Sequence, residues 1–208
     1  MSNNNSSRLI LAAKIISMIF TPFYLPLIGI ALLFTLSYMN MLPMGYKLLV
    51  VTIVYLLTIL IPTFFIHLYR RHRGWTMLQL GHRRRRLVPY AISMTCYLLC
   101  IWLMYYYNIY HFIIIIVIAA LLIQAASLLI NVWWKISTHT AAIGGVVGAI
   151  MAFAELFRFN PVWWLCLAIF FSGVLGTARI ILRQHSLGQV VAGFFVGMGC
   201  AFFAILYL

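Results

Sequence analysis

Long unbroken apolar runs, rather than an alternation of apolar and polar residues, set the pattern of this chain. They extend from about Ile10 to Met39, Leu48 to Tyr69, Pro89 to Tyr107, Phe112 to Trp134, Thr140 to Phe157, Pro161 to Thr177 and Leu187 to Leu208. Most approach or exceed the roughly 20 residues with which a helix crosses a bilayer. Only closed hydrogen bonding within each segment makes such runs viable in lipid, so the pattern predicts an all-α, multi-pass transmembrane helix bundle of about six or seven spans. The chain reads as one integral membrane domain, 1–208, with N-terminal spans and a basic loop over 1–86 and the remaining core spans over 87–208.

Local signals refine the runs. Pro22 and Pro26 predict either a kinked first span or a short interfacial piece feeding a span from about Pro22. Asn40 to Lys47, with Pro43 and Gly45, reads as a turn. Pro62 falls inside the second run, and Pro89 suits the first turn of the third. Ser137 and Ser186 are placed to cap the fifth and seventh helices. Gly144, Gly145 and Gly148 on the fifth, and Gly193 and Gly197 on the seventh, predict close helix packing. Trp133, Trp134 and Lys135 look like an interface anchor. With one crossing per helix, three polar stretches reach the same membrane face: the basic loop up to Arg86, Ser137 to His139, and Arg179 to His185.

Composition narrows the chemistry. Of 208 residues, 66% are hydrophobic and 7% charged, with 14 Lys and Arg against a single acid, Glu155. On a soluble protein a net charge of +13 would suggest nucleic acid. Here the cations lie between apolar runs, so membrane lipids and a phosphorylated substrate are the expected partners, and nucleic acid is not. One carboxylate cannot build a site for a hard cation. The cysteines Cys96, Cys100, Cys166 and Cys200 sit in apolar runs, where packing is their ordinary use. No metal and no cofactor are therefore expected. Inside the spans, Gln124, Ser127 and Asn131 stand where a proton or cation pathway would carry acids. Glu155 is expected near the opposite face, pairing with Arg158 if it pairs at all. The polar start lacks the basic region of a cleaved signal peptide.

The stretch Ala178 to Gln189 carries the sharpest signal. An arginine at the edge of lipid needs an anion, and the chain has almost none of its own, so Arg179 points to an anionic substrate. His185, just ahead of a helix start, suits a phosphate held at that helix N-terminus. Ser137, Thr138 and His139 offer a hydroxyl, amide donors and a proton donor at another helix start, although capping and local bonding account for the same residues. Arg83 to Arg86 can clamp phosphate through guanidinium forks or face lipid headgroups. Lys135 can hold phosphate or snorkel to the interface.

These motifs resemble those of the type-2 phosphatidic acid phosphatase family. Arg179, His185 and Gln189 follow the spacing of its third signature, S-R-x5-H-x3-D, with Ala178 and Gln189 in place of serine and aspartate. Ser137-Thr138-His139 is similar to the second, P-S-G-H, with Ile136 and Thr138 replacing proline and glycine. The first, K-x6-R-P, is matched loosely: Arg86 lies three residues before Pro89, and Gln79 occupies the lysine position. Placement after spans two, four and six looks like that of the glucose-6-phosphatase branch, and the family shares its helical core with vanadium-dependent haloperoxidases.

The resemblance implies a metal-independent lipid phosphatase that cleaves a phosphomonoester or pyrophosphate through phosphohistidine. It gives His185 the role of nucleophile, His139 that of proton donor and Gln189 that of orienting group. Arg179, Ser137 and Thr138 would bind phosphate, with help from Arg83, Arg85 or Arg86. It also implies a bacterial inner membrane with the site on the outer face. Against this, 12 of the 14 basic residues fall on the motif face of a seven-span chain, which the positive-inside rule assigns to the cytoplasm. The competing class is a non-enzymatic protein that binds or transports an anionic lipid or phosphate with the same arginines. The lipid and the oligomeric state stay open.

Overall fold

A computed structural model describes residues 2–74 and 87–208. Among these are nine α-helices and no strand: α1 Ser2–Ile19, α2 Leu25–Leu36, α3 Met44–Tyr55, α4 Ile61–Arg73, α5 Leu87–Tyr106, α6 His111–Trp133, α7 Thr138–Phe157, α8 Val162–Ile181 and α9 Leu187–Tyr207. Seven stretches of the described residues are long and apolar enough to cross a membrane. Two of them combine a pair of helices, Ser7–Thr35 and Met44–Arg73. The protein is an integral membrane helix bundle.

The first apolar run is not one helix. It breaks after α1, passes through a 3₁₀ turn at Pro22–Tyr24 and resumes as α2. Thr21 is extended (φ −76°, ψ 147°), the geometry that a following proline imposes. Both halves cross together. Ser17 meets Arg179 in the last turn of α8, and Phe20 packs on Phe171, midway along α8, at 5.5 Å. Past the end of α2, Tyr38 lies edge-on to Phe157, the last residue of α7, at 5.6 Å. Of the two sequence alternatives, the kinked span is the one formed.

Pro62 is absorbed differently. A π-helical turn, Leu56–Leu60, immediately precedes α4. A proline in a regular helix clashes with the carbonyl four residues back, here that of Thr58, and the wider turn relieves it. The sixth span also departs from expectation, continuing to Ile181 instead of ending near Thr177. Arg179 therefore belongs to the last turn of α8 and not to the link beyond it. The helix stops in a Schellman motif, with Gln184 N–H bonded to Arg179 O (3.2 Å) and Arg183 N–H to Ile180 O (2.8 Å). Arg183 takes the left-handed position (φ 52°), where glycine is usual and another residue costs about 1 kcal/mol.

α7 and α9 touch backbone to backbone. A Cβ on Gly144 or Gly148 would overlap the carbonyls of Phe194 or Met198, and one on Gly197 that of Ala141. A Cβ on Gly193 would lie 2.6 Å from Ser137 O. The predicted small-residue faces thus interlock. Because the seam reaches the N-terminal end of both helices, it also fixes how near His139, at the start of α7, lies to His185, just before α9. Fully buried Tyr97, Phe153, Ile113 and Ile114 fill the core alongside it. Cys96 and Cys100 are buried in that core, Cys100 Sγ lying 3.8 Å from Met104 Sδ. Glu155 pairs with Arg158 at 3.2 Å in the exposed last turn of α7.

Candidate active site

The connections α6–α7 and α8–α9 are stitched together at one end of the bundle. Lys135 Nζ donates to Gln184 O at 2.7 Å and Ser137 N–H to Gln189 O at 3.3 Å. Gly188 lies against the ring of Trp134. Below this end opens a cavity of about 580 Å³, whose wall includes Lys135, Thr138, His139, Arg179, Arg183 and Gln184. No carboxylate lines it. Glu155, the single acid in the chain, lies 17 residues along α7 from Thr138, about 25 Å at the helical rise. Cations and a helix N-terminus without a counter-charge make a site for an anion.

Arg179 is only 6% exposed. Its Nη1 donates to Ser17 Oγ at 2.6 Å, joining residues 162 positions apart. Ser17 is itself 8% exposed. Sequence reasoning missed it, since a lone serine in an apolar run gives no sign of which helix it will meet. Ala178 leaves the position beside Arg179 without a hydroxyl, and α1 supplies one from elsewhere. Ser17→Ala is expected to raise KM about 10-fold with little change in kcat, and Ser17→Thr to restore it, as steady-state kinetics in detergent would show.

His185 is buried (6% exposed) and its Nδ1 lies 3.1 Å from Gln189 Oε1. An amide oxygen only accepts, so Nδ1 carries the proton and Nε2 the lone pair. The same oxygen accepts Ser186 N–H at 3.3 Å. Glutamine thus both orients the histidine and closes the N-terminus of α9, with Ser186 as the predicted N-cap. Ser137 is the N-cap of α7, its hydroxyl accepting Thr140 N–H at 3.4 Å. The cavity wall takes in His139, Thr138, Lys135 and Arg179 but not His185, Gln189 or Ser137. Arg83, Arg85 and Arg86 lie outside the described residues. No group of three or more His, Cys, Asp or Glu side chains gathers among the described residues.

Residues 131–208 match the model of the PAP2 superfamily. The matched stretch spans Ser137 to His139 and Arg179 to Gln189 and begins well after the arginine run. No curated protein and no solved structure matches the chain.

Proposed function

We propose that the chain, whose residues 131–208 match the PAP2 superfamily, is a member of that superfamily and a membrane phosphatase acting on a lipid phosphate. Members of that superfamily are in general phosphoric ester hydrolases. The lipid, the bond cleaved and the residues that act are our reading. The observation that carries it is the acid-free cationic cavity beside a histidine whose Nδ1 is held by Gln189 Oε1.

In this reading the phosphate lies between Arg179, the start of α7 and His185. His185 Nε2 attacks phosphorus, the bond to the leaving oxygen breaks, and His139 gives that oxygen its proton. Water then attacks the phosphohistidine, His139 takes a proton from it, and inorganic phosphate leaves with the Nε2 lone pair restored. Arg179 and Lys135 stabilise charge on the non-bridging oxygens throughout. Gln189 Oε1 holds the Nδ1 proton but adds no negative charge to offset the ring's developing positive charge.

That last point sets the test. Gln189→Asp is expected to keep or raise the rate of phosphate release, and Gln189→Leu to lower it on the order of 10- to 1,000-fold. Equal rates for glutamine, aspartate and leucine would remove the orienting role. The assay is inorganic phosphate released from lipid phosphates by purified protein in detergent with EDTA.

A further inference from the structure

Among the described residues, Asn108, Arg158 and Arg183 hold a positive φ without being glycine. Two of them have local reasons. Asparagine tolerates the left-handed region, and Arg158 is tied to Glu155 at 3.2 Å at the exposed end of α7. Arg183 has neither: its side chain makes no hydrogen bond and no ion pair among the described residues. Glycine in its place would end α8 with the same backbone bonds and without the steric cost. An arginine kept there against its conformational preference, with nothing in the fold to hold, points to a partner from outside the fold.

The position of Arg183 says what that partner is. It lines the cavity with Lys135, Thr138, His139 and Arg179, and no carboxylate is among the lining residues. The other two cations of this wall are already engaged in the fold. Arg179 Nη1 donates to Ser17 Oγ at 2.6 Å and Lys135 Nζ to Gln184 O at 2.7 Å. Arg183 brings an uncommitted guanidinium, whose forked N–H groups match two oxygens of one phosphate. Arg179 is also buried whereas Arg183 is exposed. The buried arginine supplies one fixed charge, and the exposed one a second for an anion that has entered.

We propose that Arg183 is a specificity-determining residue that takes the second negative charge of the substrate, and so selects a terminal, doubly ionised phosphate over a phosphodiester at a cost to stability. This rests on reading the cavity as the phosphate site. Bulk phospholipids are phosphodiesters and crowd the same interface, so a site with one effective charge would not tell them from its substrate.

The test uses the full chain with His185→Ala to prevent turnover. It compares binding of monomethyl phosphate and dimethyl phosphate at about pH 8, well above the second ionisation of a phosphate ester at about 6. The two anions differ by one methyl and one charge. Monomethyl phosphate is expected to bind at least about tenfold more tightly, and adding Arg183→Gly should remove most of that preference by weakening monomethyl phosphate alone. Arg183→Asn, which also tolerates the backbone and lacks the charge, should bind as the glycine variant does. Without ligand, Arg183→Gly should raise the unfolding midpoint in detergent by about 2–4 °C as the strain is relieved. Opposite signs in binding and stability separate recognition from a role in the fold, where the substitution would lower both. A preference untouched by Arg183→Gly, a loss equal for the two probes, or a lowered midpoint would overturn the assignment. Failure of the chain with His185 intact to release phosphate from any lipid would count against the hydrolase reading, with the binding ratio still deciding this one.

Discussion

His185→Ala is expected to release phosphate from a lipid phosphate at least about 1,000-fold more slowly than the parent chain, with EDTA present in both assays. The size follows from the role. Removing a nucleophile leaves only water held near the phosphate, and in the proposed mechanism Lys135, Arg179 and Arg183 of the cavity wall hold the substrate without forming a bond to phosphorus. Binding should therefore survive while turnover fails. A protein that carries or holds an anionic lipid would need the same arginines and have no use for the imidazole. No release by the parent chain would favour that class, whereas release that persists at the parent rate in His185→Ala, or that depends on added Mg2+, would rule out the proposed mechanism.

The largest structural effect is expected at Gly197. A single methyl there overlaps the Ala141 carbonyl, and because the obstacle is backbone, no side chain can rotate away. Gly197→Ala should destabilise the chain by about 3 kcal/mol, the upper range for overpacking, as measured by thermal unfolding in detergent. Gly199→Ala, two residues on with nothing near the added atom, is the control and should show no loss. The displaced seam should also lower activity, since α7 and α9 carry His139 and His185 at their adjoining ends. Equal stability of the two variants would mean that the helices do not make this close approach.

Much of the fold was legible because lipid leaves the chain few choices. Apolar run length gave the seven spans, the serines before α7 and α9 announced their caps, and the spaced glycines announced the seam. Glu155 and Arg158 paired as their spacing suggested. What stayed hidden depends on packing between distant segments. Two prolines signalled a break in the first span, but only the contacts of α1 with α8 and of α2 with α7 show that both halves cross together. The π turn before Pro62 and the left-handed Arg183 are local answers that composition does not dictate. Ser17 is the clearest case, since its meaning lies entirely in an arginine 162 residues away. Gln124 and Ser127 were visible as polar residues in a span, yet the cavity they line exists only once α5 is set against α6.

The claim at the centre of the account is transfer of a phosphoryl group to His185. Mixing the purified chain with a radiolabelled lipid phosphate in EDTA, quenching in base within one turnover and digesting the protein tests it directly. The account predicts label on the peptide that contains His185, and none in His185→Ala. Label on another residue, or phosphate released at full rate with no labelled peptide at any quench time, would contradict it.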